Sequence, residues 1–185
     1  MIGVRARRAA AAVEFALVAP FLVLAMLATV DLTTYIRAYF RVERVAAEVT
    51  NLASQYERLR EQDIARLFDA AQMIAGPIQV KQTAGRTIIS LVEGTTQGNR
   101  MRWQRASVGV PANQFASRIG VPPNIVTLPA GMTVPVGQTV LIVEVFNRRL
   151  PWLLSADFLG TGAPEVIYAF YIMRPRSAQL AEILP

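Results

Sequence analysis

Apolar residues run almost unbroken from Ala9 to Val30 (AAAAVEFALVAPFLVLAMLATV), interrupted by one charge, Glu14, and one proline, Pro20. As a helix this run spans about 33 Å, enough to cross a bilayer core of about 30 Å. It is longer than the roughly 7–15 apolar residues of a signal-peptide core and leads directly into further helical pattern, so it predicts a retained transmembrane helix over 10–31. Beyond it, Tyr35, Ala38, Val42, Val45, Val49, Leu52, Tyr56 and Leu59 recur at alternating spacings of three and four, with arginines and glutamates between them. Such a 3.5-residue seam predicts an amphipathic helix. Asp63 ends that register. Ile64, Leu67, Phe68 and Ala71 then carry a second stripe until Gly76-Pro77 stops it. The amphipathic helix is thus expected over 32–75, with a break or bend near Asp31 to Thr34 or Glu61 to Asp63. The seam, which runs from Tyr35 to Leu59 and includes Val42, Val45, Val49, Leu52 and Tyr56, is expected to pack on the chain's own domain in its C-terminal half and on partner helices nearer the membrane.

From residue 76 to 185 the pattern changes to strands and turns. Thr87–Glu93, Arg100–Val108, Thr139–Asn147 and Glu165–Met173 are read as strands, the last two rich in β-branched and aromatic residues. On the first, Ile88, Ser90 and Val92 share one face and Ile89 and Leu91 the other. Gln114–Ile119 suggests a short helix. Val121–Gly137, crowded with Pro122, Pro123, Pro129, Pro135, Gly131 and Gly137, reads as an irregular loop. The expected fold is α+β: a long membrane-spanning helix continuing into an amphipathic helix that packs on a small antiparallel sheet.

Charge and composition narrow the function. The net charge is +6, yet Arg5, Arg7 and Arg8 stand together at the start with no acid beside them. Without them the remaining 16 basic groups face 13 acidic ones, so the basic balance belongs partly to the tip and gives no nucleic-acid footprint. By the positive-inside rule those arginines place the N-terminus in the cytoplasm and the rest of the chain beyond the inner membrane. The sequence has no cysteine and no histidine. Disulfides, thiolate nucleophiles and zinc–thiolate sites are excluded, and the commonest general base and metal ligand are missing.

The remaining candidates for chemistry read as structure. Arg100 to Arg105 mixes cations with Trp103, but as a strand it would place Arg100, Arg102 and Gln104 on a wet face and Met101, Trp103 and Arg105 on a packed one. Glu144 interrupts the most apolar strand; with no second carboxylate in the pattern it cannot run paired acid–base chemistry, and burial beside an arginine or the strand's solvent face accounts for it. No acidic residues show metal-ligand spacing. Trp152, Leu153 and Leu154, after Pro151, are read as core or as an interface patch. No catalytic residue, cofactor or metal is expected.

Glu14 costs about 2–3 kcal/mol or more inside lipid unless it pairs, snorkels or protonates. Its setting, Arg7-Arg8-Ala9-Ala10-Ala11-Ala12-Val13-Glu14-Phe15 with Pro20 following, resembles the start of TadE-like pseudopilins of the tight-adherence branch of type IV pili. The strand Gly137–Phe146, Leu150-Pro151-Trp152 and the closing strand near Met173-Arg174-Pro175-Arg176 resemble that family's C-terminal half more weakly. The resemblance implies a basic leader, residues 1–9, cut by a prepilin peptidase between Ala9 and Ala10, leaving Glu14 fifth in the mature chain. Ala9 stands where the family usually has Gly. The resemblance further implies that Glu14, beside Phe15, neutralises an N-terminal amine of its own or a neighbouring chain, and that Pro20 kinks or loosens the helix. The implied partners are other pilins and pseudopilins of the same system, the peptidase and inner-membrane lipid, in a hetero-oligomer, with no nucleic acid. The chain would then be a minor pseudopilin acting by assembly rather than catalysis; the alternative is a permanently anchored periplasmic scaffold of an envelope complex.

Overall fold

The computed structural model describes residues 2–81, 83–109, 115–149, 166–177, 180 and 182–184, with side chains from residue 9 onward. Helix α1 (Ile2–Ser54) is followed by β1 (Leu59–Arg60), α2 (Glu61–Ala75), β2 (Gly85–Thr95), β3 (Gly98–Ala106), β4 (Thr139–Arg148), β5 (Val166–Met173) and β6 (Ile183–Leu184). The chain is α+β, with a long apolar N-terminal helix, a second helix and a small antiparallel sheet. The part of α1 up to Arg37 belongs to one compact unit, and its remainder, with α2 and the sheets, to a second.

The helix expected over 32–75 is two helices. α1 ends at Ser54, where the amides of Gln55 and Tyr56 donate to Leu52 and Ala53 carbonyls in the tighter i→i−3 pattern, at 3.2 and 3.4 Å. The Ser54 carbonyl accepts from the Arg176 amide at 3.2 Å, so the helix end is satisfied by another part of the fold. The turn Gln55–Arg58 leads to β1, which pairs in parallel with β6 through Leu59 and Ile183. Asp63, which ends the seam in sequence, is the third residue of α2; its Oδ2 accepts from the Arg60 amide at 3.1 Å, half of a capping box. The break lies just before Glu61, not at Glu61–Asp63. α2 stops at Ala75, and Gly76 takes φ 65° after it, a conformation that glycine adopts without steric cost.

The 3.5-residue seam is corrected with the helix. Ala38, Val42, Val45 and Val49 of the seam are buried, but Ala46, Thr50, Ala53 and Ser54 are buried alongside them, whereas Leu52 is 36 % exposed. A straight helix turns once per 3.6 residues, so a strict 3.5 pattern drifts by about 20° per heptad towards the rim of its buried face. Tyr56 lies beyond the helix, half-buried in the turn, and Leu59 is fully buried as part of β1. Leu59→Ala should therefore cost about 2–4 kcal/mol and Leu52→Ala less than about 1. Denaturant unfolding of the full chain in detergent checks this; equal costs would restore the continuous seam.

The main sheet has the order β3-β2-β4-β5, antiparallel throughout. Ile88, Ser90 and Val92 lie on one face with Ile142, Glu144 and Phe146 of β4, and Ile89 and Leu91 lie on the other with Val143 and Val145. Both faces are buried, which is why β2 and β4 read as nearly continuous apolar runs. The second face shares its unit with the buried stripes of α1 and of α2, the latter Ile64, Leu67, Phe68 and Ala71. α2 is tied to it by Arg105 of β3, whose Nη2 lies 2.6 Å from Glu61 Oε1, and the segment that follows α2 is held by Thr87, whose hydroxyl donates to the Val80 carbonyl at 2.8 Å.

The first face is covered by Phe115 and Ile119 and by the proline-rich stretch after them, which inserts Val126, Leu128 and Val134; together they pack against Ile88, Val92, Met101, Ile142 and Phe146. Phe115 to Ile119, the described part of the expected short helix, is not helical. Asn99 holds this cover by donating to the Met132 carbonyl and accepting from the Val134 amide, both at 2.8 Å. Gly94 is needed where the cover approaches the sheet, since a Cβ there would sit 2.1 Å from the Val134 carbonyl oxygen.

β3 carries a bulge that the alternation does not predict. Leu91 pairs with Trp103 but Val92 pairs with Met101, so Arg102 is the extra residue. Met101 and Gln104 consequently share the covered face, and Trp103, Arg105 and Arg100 the other, instead of Met101 and Trp103 lying together. Each side chain confirms its placement: Met101 packs with Val92, Gln104 Nε2 donates to Ser90 Oγ at 3.0 Å, and Trp103 Nε1 donates to the Leu180 carbonyl at 3.0 Å.

Candidate functional site

The first candidate is the membrane-length part of α1. A helix of this length and composition can cross a bilayer once, and none of its most apolar 18-residue window is buried within the chain. Phe15, Phe21 and Met26 are 67, 71 and 71 % exposed. A surface this apolar needs lipid or other protein around it. Ala9 and Ala10 are adjacent, exposed helical residues; Glu14 and Phe15 are exposed one turn further on. Pro20 lies inside α1, and the helix continues through it, with the Ala16 carbonyl deprived of its usual i+4 donor. The polar residues at the far end are accommodated on the helix itself. The Thr29 and Thr33 hydroxyls donate to the carbonyls of Ala25 and Thr29 at 2.8 and 2.7 Å, so neither leaves an unmet donor in apolar surroundings.

Residues 9–50 match the model of a protein family described as TadE-like protein. Over that stretch, and not over the rest of the chain, the sequence is similar to this family. No curated protein and no solved structure matches the chain. The TadE-like segment takes in Ala9, Ala10, Glu14, Phe15, Pro20, Val42, Val45 and Val49 and stops short of Leu52, Tyr56 and Leu59.

The second candidate is Glu144. It is fully buried at the centre of β4, where the sequence allows either burial beside an arginine or a solvent face. Its carboxylate is met by three donors: the Ser117 hydroxyl, the Arg118 amide at 2.8 Å and the Tyr168 hydroxyl at 3.1 Å. The Arg118 guanidinium lies over the Tyr168 ring, 4.0 Å from its centroid. Burial pushes the Glu144 carboxyl above the ordinary carboxylate range, opposed by the bonds from Ser117, Arg118 and Tyr168 and by the Arg118 charge. Tyr168 is pushed up by burial and by the neighbouring carboxylate. With no exposed surface, Glu144 meets no solute; its geometry clamps the covering stretch to the sheet. The sequence alone does not assign this role because Ser117 and Arg118 are 27 and 26 residues away, and Ser-Arg has no distinguishing pattern.

Two of the three arginines on β3 are paired: Arg102 Nε lies 2.8 Å from Glu93 Oε2 and Arg105 bonds Glu61. Among the described residues no group of carboxylates is placed to hold a metal ion. Trp152, Leu153 and Leu154 lie outside the described residues.

Proposed function

We propose that the chain is a minor pseudopilin of a tight-adherence pilus, a structural and assembly component that catalyses no reaction. The observation carrying this reading is the uncovered apolar run of α1 with Glu14 five residues after Ala9, inside the TadE-like match. Stored in the inner membrane with its N-terminus in the cytoplasm and its domain in the periplasm, the helix would pack with other pilin-type helices at an initiating or tip complex of the adhesive filament. Glu14 is exposed on α1, free to meet a cation supplied by another chain or by a newly cut N-terminus. Such pairing relieves the cost of a carboxylate in lipid. The globular part, rigidly closed on both sheet faces, supplies side contacts to partner subunits.

The alternative, a permanently anchored periplasmic scaffold, is favoured by Ala9 standing where the family has Gly. N-terminal sequencing of the protein from its native membranes separates the two. A mature chain starting at Ala10 supports the pseudopilin, and one starting at Met1 supports the scaffold. In the pseudopilin, Glu14→Gln should reduce co-purification with partner pilins at least about tenfold, the effect of losing one buried charge pair; undiminished co-purification would refute the role given to Glu14.

A further inference from the structure

The two edges of the main sheet differ. At β3 the covering stretch closes the edge: Arg100 bridges Ile125, the Met101 amide donates to the Asn124 carbonyl at 3.1 Å, and the Val126 amide donates to the Asn99 carbonyl at 2.8 Å. At β5 no described residue pairs with the strand on the side away from β4. Every second residue of an antiparallel edge strand turns its N–H and C=O outward, so a row of donors and acceptors runs open along β5. Exposed edges are ordinarily kept from pairing by a charge, a proline, a bulge or shortness. None of these guards β5. Its eight residues, VIYAFYIM, include no charge and no proline and stay in unbroken register with β4. Phe170 and Tyr171, at its centre and on opposite faces, are 37 and 43 % exposed, so the edge is open from both sides.

Cations flank this edge. Arg118 is exposed; its amide is fixed on Glu144 and its guanidinium lies over the Tyr168 ring of β5, 4.0 Å from the centroid. Arg174 and Arg176, both exposed, follow the other end of the strand. Among the described residues no acid lies within ion-pair distance of these three. We infer that β5 takes up an extended segment of a partner subunit as a fifth strand, an apolar segment carrying a carboxylate for Arg118 or Arg174. The backbone of that segment meets the outward row, and its acid meets a guanidinium held in place by the Tyr168 ring. Charge complementarity selects this occupant. A second copy of β5 would bring Arg174 and Arg176 with it, and the run Val166 to Arg176 contains no acid, so cation would meet cation. An uncharged segment would fill the row and leave the guanidinium groups uncompensated. This deepens the side contacts assigned above to the globular part and rests on that assembly role, which the pseudopilin and the scaffold share.

The opposite faces of Phe170 and Tyr171 make the test direct. A photoreactive phenylalanine analogue replaces each in turn in the full chain at native expression level. Cells are irradiated, and the peptide joined to each position is identified by mass spectrometry. Both positions should join to one segment of a different protein, with an aspartate or glutamate in that segment, because a strand lying along the edge is reached from both faces. Arg118→Gln combined with Arg174→Glu should lower both yields at least about tenfold. Arg118→Gln keeps the backbone amide that bonds Glu144. Arg100→Glu, at an exposed arginine on the opposite edge strand, should leave the yields unchanged. The map of joined peptides is made without these charge variants and decides independently of them. Adducts from one position alone indicate docking on a face and overturn the proposal. Joined segments without a carboxylate, yields indifferent to the double substitution, adducts to a second copy of the chain, or no adduct at all overturn it too. Each of those results leaves the pseudopilin reading standing, since the first residue of the mature chain decides that. A mature chain starting at Met1 with both adducts present selects the scaffold and keeps the fifth strand.

Discussion

Glu144→Ala is expected to destabilise the globular part by about 3 kcal/mol, and Glu144→Gln by about 1. The alanine leaves the Ser117 hydroxyl, the Arg118 amide and the Tyr168 hydroxyl without their shared acceptor in a site with no exposed surface, and it also leaves a cavity beside Ser117 and Tyr168. Glutamine keeps an acceptor oxygen for the Arg118 amide and nearly the same volume, so most of the clamp survives. The pH dependence follows from the direction of the carboxyl's shift. Because burial raises its folded-state value above the unfolded 4.5, the folded protein binds more protons than the unfolded one between those two values. Stability from this group is therefore complete below 4.5 and is lost as pH rises through the raised value. The difference in unfolding free energy between wild type and Glu144→Gln, measured in detergent from about pH 7 down to about pH 4, isolates this site from the surface ion pairs. Wild type should gain on the variant as pH falls; a flat or opposite difference would show that Glu144 is not held in an apolar setting.

Features that depend on neighbours along the chain are legible in the sequence. The apolar run of α1, the stop at Gly76-Pro77 and all four long strands fall within a few residues of where periodicity places them, because each rests on a local pattern of burial or a local backbone constraint. Features decided by distant contacts are not. The end of α1 at Ser54 has no glycine or proline to mark it; the Arg176 amide and the β1–β6 pairing fix it from the far end of the chain. Asp63 is a visible signal, and a capping-box reading takes it as the third residue of a new helix rather than the end of an old one. The bulge at Arg102 is invisible to alternation, since one inserted residue merely shifts the pattern by a step. The Pro/Gly content of Val121–Gly137 correctly signals irregular structure but not that Val126, Leu128 and Val134 serve as one wall of the core.

The candidate site divides the same way. Glu14 stands out in sequence because it breaks an apolar run, and the TadE-like match covers it. The exposed stripe of Leu32, Ile36 and Tyr39 does not stand out, since the buried residues Ala38 and Val42 interleave with it on the same helix and a sequence pattern does not say which stripe is taken. Burial separates the two: one stripe closes the chain's own core, and the other stays exposed.

Leu22→Arg combined with Ala25→Arg is expected to abolish retention of the chain in the membrane. Each arginine near the middle of a spanning helix costs about 2.5–3.5 kcal/mol on insertion scales, so the pair opposes insertion by about 6 kcal/mol, some four powers of ten in the partition. Neither position is buried within the chain, so the double substitution leaves the packing of the sheet, α2 and the distal part of α1 unaltered. A loss of retention is then a statement about lipid and not about misfolding. Leu22→Ala with Ala25→Leu, which exchanges the two side chains and keeps the apolar area, serves as the control and should remain in the carbonate-resistant fraction. The arginine pair should move to the soluble or aggregated fraction with the protease resistance of its globular part unchanged. Should the arginine pair stay in the membrane as firmly as the control, the apolar run of α1 would be covered by protein and not by lipid, and the anchoring on which the assembly reading depends would be lost.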